Sequence, residues 1–142
     1  MPTTKTVYLS NPTVTIGGVD VTQNTSAASL EIGYDSLEST TFGDTGHRFV
    51  SGLQMVNVTL TMFMNYGTGE IEATLFDQVG DGTTTLVISP AGTTESASNP
   101  EYTISNAMLA SFTPIVTTVA ELSQVSVSYV GGTWVRDVTP PA

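Results

Sequence analysis

The chain has 142 residues, enough for one domain with a real core, and no cysteine, which excludes disulfides and thiolate metal sites. Thirteen acidic residues against three basic ones give a formal charge of −10, a balance that argues against gripping nucleic-acid phosphates. Only 11% of residues are charged, and Thr, Ser, Asn and Gly fill the gap, so the surface suits burial against another protein. Residues 1–5 carry one positive charge with no apolar run behind it, unlike a secretory signal. No stretch approaches the ~18 apolar residues of a membrane helix, which predicts a soluble chain made in the cytosol.

Taken in order, the first candidate strand is Val7-Tyr8-Leu9, inside an N-terminal arm of residues 1–10. Thr13 to Ile16 follows and breaks at Gly17-Gly18. Leu30 to Tyr34 alternates apolar with polar residues, and Val56 to Met64 does so over nine positions, which places the even side chains on one strand face. Thr85 to Ser89, Tyr102 to Leu109 and Val125 to Tyr129 complete the set, all rich in residues that fit a pleated surface. Turn chemistry separates them at Asp81-Gly82, Asn99-Pro100 and Gly131-Gly132. The pattern predicts one mainly β domain over 1–142, a sandwich or partly closed barrel with a single flanking α-helix at about residues 69–79. In that helix Ile71, Leu75, Phe76 and Val79 form the packing face, Thr68 is the expected N-cap and Gly80 the stop.

Residues 35–52 read as a long inter-strand loop, and loops of that length usually have a job. This one holds Phe42, Asp44, His47, Arg48, Phe49 and Val50, which suits a partner surface; the other reading is a hairpin folded onto its own sheet. Ala91 to Pro100 reads as an exposed polar loop and residues 138–142 as a loose tail.

The inventory for chemistry is thin. His47 is the single histidine and Lys5 the single lysine, and no serine lies in a nucleophile elbow. There is no phosphate-binding loop. Asp77 to Gly82 opens like a calcium loop but fails at Val79 and at Ile88, where a Glu belongs. Glu70 and Glu72 are two apart on a helix and point to different faces. Trp134 reads as a core or interface anchor. No catalytic residue, metal site or cofactor is expected.

Thr13-Val-Thr-Ile-Gly-Gly-Val-Asp20, Thr40-Thr-Phe-Gly-Asp44, Phe49-Val-Ser-Gly-Leu53, Asn99-Pro-Glu-Tyr102 and Val125-Ser-Val-Ser-Tyr129-Val-Gly-Gly occur in an order that resembles small tail tube subunits of siphophages. The resemblance covers about residues 13 to 132 and lies in that order, not in a chemical motif. It implies hexameric rings stacked into a tube, an acidic-lined conduit for DNA ejection, and no specific DNA binding. Implied partners are further copies and other tail proteins such as tape measure, terminator and distal tail proteins, in a virion and away from membranes. It further implies inter-subunit or inter-ring contacts by Val7, Tyr8, Leu9, Phe42, Asp44, His47, Arg48, Phe49, Trp134 and Arg136. The alternatives are a capsid decoration or minor capsid protein, and a carbohydrate- or protein-binding sandwich, for which a single Trp offers little.

Overall fold

The computed structural model describes residues 12–92 and 94–140. Val7, Tyr8 and Leu9, and the end of the C-terminal tail, lie outside the described residues. Among the described residues there are eight strands: β1 (Thr13–Ile16), β2 (Val19–Asp20), β3 (Thr25–Glu38), β4 (Phe49–Phe63), β5 (Thr84–Ser89), β6 (Glu101–Phe112), β7 (Gln124–Val130) and β8 (Thr133–Asp137). A short helix, α1 (Ile71–Phe76), follows β4. The strands form one antiparallel sheet in the order β2-β1-β5-β6-β7-β4-β3, with β8 on β6. The predicted mainly β fold with one helix is present, as an open sheet with β2 and β3 at its ends. It is not a closed barrel.

The sheet folds over on itself at β6. The first half of β6 pairs with β5 and β8, and the second half with β7. Because Met108 pairs with Val130 and Ser105 with Thr133, β7 and β8 run along β6 as one interrupted strand. The interruption is Gly131-Gly132, at φ 80° and 88°, and Asn106 opposite has φ 62°. Three left-handed residues at facing positions bend both strands together. Gly131-Gly132, expected as a turn, is therefore a bend within continuous pairing. The two halves then enclose one core: Ile16, Leu86 and Ile104 from one, Val58, Leu60, Met62, Val127 and Tyr129 from the other. The Val56–Met62 alternation survives intact, its even side chains buried.

Tyr129 is fully buried, and its hydroxyl donates to Gln78 Oε1 at 2.7 Å. Burial raises its pKa well above the ordinary 10.0. The unfolded chain loses that proton near pH 10 while the folded chain keeps it, so folding stability is full below pH 10 and falls as pH rises past it. Urea midpoints measured from pH 9 to 11 are expected to drop in the wild type, and Tyr129→Phe is expected to flatten much of that drop.

The helix departs from expectation in three ways. It spans Ile71–Phe76 instead of 69–79, and residues 77–80 form turns that end at Gly80 with φ 72°. Thr68 does not cap it. Gly67 and Gly69 both take positive φ, and this tight turn brings Asn65 over the helix start, where its Oδ1 accepts the Ile71 N–H at 2.9 Å. Of the expected packing face, Ile71 (5% exposed) and Leu75 (0%) enter the core, whereas Phe76 (63%) and Val79 (52%) face outward. The helix ends before a second apolar turn can wind back onto the sheet. Leu75→Ala is accordingly expected to cost about 2–5 kcal/mol in a denaturant titration, and Phe76→Ser no more than about 0.5 kcal/mol.

The 35–52 segment is mostly strand. β3 continues to Glu38 and β4 begins at Phe49, leaving only residues 39–48 as connection. Ser36, Leu37 and Glu38 pair with Ser51, Val50 and Phe49 after a bulge at Tyr34/Ser36. The segment is a hairpin, but one that extends beyond the sheet instead of folding onto it. Its origin lies at the Gly131-Gly132 bend: β7 stays with β4 only as far as the Asn57–Val130 pair, and then the chain turns away into β8. Beyond that point β4 has no strand partner except β3 among the described residues. The result is a two-stranded arm.

Candidate assembly surfaces

An isolated two-stranded ribbon is marginal in water, and this one also exposes large apolar groups. Leu37, Phe49, Val50 and Leu53 are all more than half exposed, and Phe42 at the tip is fully so. The bulge adds one residue to β4 and shifts its alternation, so Phe49 shares a face with Tyr34 and Gln54, while Leu37, Val50 and Met55 lie on the other.

The tip is organised by its polar residues. Asp44 Oδ2 accepts from the Thr41 amide at 2.7 Å and hydroxyl at 3.1 Å, while Oδ1 meets Arg48 Nη1 at 3.4 Å. The Arg48 amide donates to Thr40 Oγ1 at 2.9 Å. His47 Nδ1 is 2.7 Å from Glu38 Oε2, and its ring lies against Phe49 with centroids 6.4 Å apart. Exposed ion pairs of this kind contribute about 0–1 kcal/mol, so their role is to fix the loop's shape and hold Phe42 outward. The structure thus gathers Phe42, Asp44, His47, Arg48 and Phe49 at one end of the molecule.

Trp134 and Arg136 are placed elsewhere, on β8. Trp134 packs edge-on against Tyr34 (6.1 Å, 70°), and its amide donates to Gln54 Oε1 at 3.1 Å. It braces the root of the arm. Arg136 is exposed opposite Tyr102 of β6. Glu101 nearby has a raised pKa, through burial first and then through Glu95 and Asp137. The loop before it is less loose than expected: Asn99 is buried, accepts from the Ala91 amide at 2.8 Å and donates to Thr94 O at 2.8 Å.

Several surface groups escaped the sequence reading. Tyr34, Leu53 and Met55 lie on the arm, and Ile115, Val116, Val119 and Leu122 crowd the connection between β6 and β7. The signal available for the latter was a run of aliphatics just after Pro114, in a stretch with no strand alternation.

The outward face of β3, β4 and β7 is set by the register. Ser29–Thr59–Ser128 and Ala27–Thr61–Ser126 are cross-strand rows on it, and Glu31 opposite Asn57 is the only carboxylate where the core backs this face, among the described residues. That stretch of the face carries no Lys or Arg among the described residues. Among the described residues, no group of three or more His, Asp or Glu could hold a metal ion.

No family model matches the sequence, and no curated protein matches it. Solved structures do. A chain of the anti-feeding prophage cap, which terminates the tube, superposes with a TM-score of 0.68 at 16% identity, over 98% of this chain and 95% of that one. The chain has the same fold. A chain from the sheath/tube terminator of an extracellular contractile injection system shares it too, at TM-score 0.67 and 16% identity, over 96% and 100% of the two chains. So does a chain from a gene transfer agent virion, at 0.58 and 7% identity, over 90% and 96%. These neighbours come from contractile injection systems and a gene transfer agent, and they do not single out siphophage tails.

Proposed function

We propose that the chain is a structural subunit of a phage-like tail, whose copies close into six-membered rings and stack as a tube. The observation that carries this reading is the shared fold, which extends over nearly the whole of both chains in the cap and terminator comparisons. The arm supports it, because a two-stranded ribbon is marginal in water and exposed Phe42, Phe49 and Leu53 suit burial against a partner. The end strand β3 supports it as well: fourteen residues long, it is a ready template for a neighbouring copy, and ring closure removes the hazard of a free edge.

In this reading the hydroxyl-bearing face of β3, β4 and β7 lines the conduit. The acidic lining expected from the net charge then reduces to Glu31, one per copy. What remains is the lack of any cation on that face, so DNA phosphates find nothing to hold them. Terminator, tape measure and distal tail proteins are the further partners, the virion tail is the location, and synthesis is in the host cytoplasm.

Negative-stain electron microscopy at rising concentration tests the reading. Hollow tubes or stacked sixfold rings are expected; threefold particles would point instead to a capsid decoration protein, and monomers at every concentration would count against self-assembly.

A further inference from the structure

At one end of the folded sheet the two halves leave an apolar groove of about 330 Å³. Ala28, Leu30 and Ile32 form one wall, and their pairing with buried Leu60, Val58 and Val56 places them on the inward face of β3. Ile88 of β5, Tyr102 of β6 and Pro12 form the other wall. Leu30, Ile32 and Ile88 are only half-buried there. Left to water, such a space would hold on the order of ten molecules, with little besides the Ser89 and Tyr102 side chains to bond them. An apolar cover would recover burial that these aliphatic groups now forgo.

The chain itself carries a suitable cover. Residues 1–11 precede the described part and residues 141–142 follow it, and of these two ends only the first has large apolar side chains, at Met1, Val7, Tyr8 and Leu9. Pro12 is part of the groove wall, so that end of the chain starts at the groove. Leu9 is three positions back, within roughly 10 Å along an extended chain. Asn11-Pro12 is a turn dipeptide, which suits a reversal at that point. Val7 and Leu9 are two apart, so in an extended chain they share a face at the same roughly 7 Å spacing as Leu30 and Ile32.

We propose that residues 7–9 turn back at Asn11-Pro12 and cover this groove in their own copy, with Val7 and Leu9 seated against Leu30, Ile32 and Ile88. The occupant is thus a segment of the same chain. The resemblance to tail tube subunits implied contacts between copies for Val7, Tyr8 and Leu9; here the same residues close the core of the copy that carries them. The inference does not depend on the assembly reading and is tested on dilute, unassembled protein.

The chain has no cysteine, so a single introduced thiol reports its surroundings without background. In full-length protein, the Leu9→Cys thiol is expected to react with a charged maleimide about tenfold or more slowly than the Thr3→Cys thiol, with the same ratio across a dilution series. Ala28→Asp places a charge in the groove wall at an exposed position that the core does not need. Added to Leu9→Cys, it is expected to abolish most of the protection. Equal reaction of the two thiols in dilute protein overturns the inference. Protection that appears only as the protein is concentrated overturns it too, because the segment would then lie on another copy. Protection that Ala28→Asp leaves unchanged shows a docking place other than this groove and overturns the assignment. None of these results bears on whether copies form rings.

Discussion

Replacing Gly132 with alanine is expected to remove more than about 3 kcal/mol of folding stability, a large share of the 5–15 kcal/mol typical of a domain. Gly132 lies at φ +88°, and a Cβ there would overlap the Ser105 carbonyl oxygen and sit 3.0 Å from the Asn106 carbonyl carbon and 3.1 Å from the Ala107 nitrogen. All three are backbone atoms of β6, so no rotamer change relieves the overlap. The pairing of β6 with β8 has to open, and with it the bend that brings the two halves of the sheet over one core. Gly131 is the internal control. It has φ +80° but nothing within 4 Å of its would-be Cβ, so Gly131→Ala incurs only left-handed strain, about 1–2 kcal/mol. Urea unfolding of the two variants separates strain from contact. Equal losses would mean that the close approach to β6 is not what requires glycine.

The second large effect is on assembly. Phe42→Asp is expected to leave monomer stability within about 0.5 kcal/mol of wild type, because the ring touches nothing that the fold needs. Association is expected to fall by at least about thirtyfold, the consequence of losing one apolar anchor at about 2 kcal/mol or more. Phe49→Asp should act in the same direction and also strip the His47 ring of its neighbour, 6.4 Å away. Sedimentation velocity across a concentration series reads both quantities when paired with thermal unfolding. An F42D protein that assembles as the wild type does would remove the arm from the interface.

Where the sequence was legible, burial had written the pattern. Val56 to Met62 alternates because the Val58, Leu60 and Met62 side chains fill the core while Asn57, Thr59 and Thr61 stay outside. The same holds for Val125, Val127 and Tyr129. In the arm neither face is buried, so Asp35-Ser36-Leu37-Glu38 and Phe49-Val50-Ser51-Gly52 have no reason to alternate, and their pairing is a matter of ladder hydrogen bonds alone. Gly131-Gly132 misled for a different reason: glycines at positive φ serve a turn and a strand bend equally, and only the register with β6 tells them apart. β8 was hidden behind that ambiguity. The helix stripe was half right, since Ile71 and Leu75 do pack, but spacing could not reveal that the helix stops at Phe76. Of the exposed apolar groups, the arm cluster was readable because aromatics in a Gly- and Thr-rich stretch have no core to enter. The 113–123 aliphatics were not, because they follow neither a strand nor a helix period.

The length of β4 has a mechanical meaning. It is an unbroken strand of 15 residues that begins at the arm tip and ends beside the 113–123 connection. A pull between the arm tip and the 113–123 connection shears the β4–β7 ladder along the strand axis, so its hydrogen bonds share the force and none is peeled first.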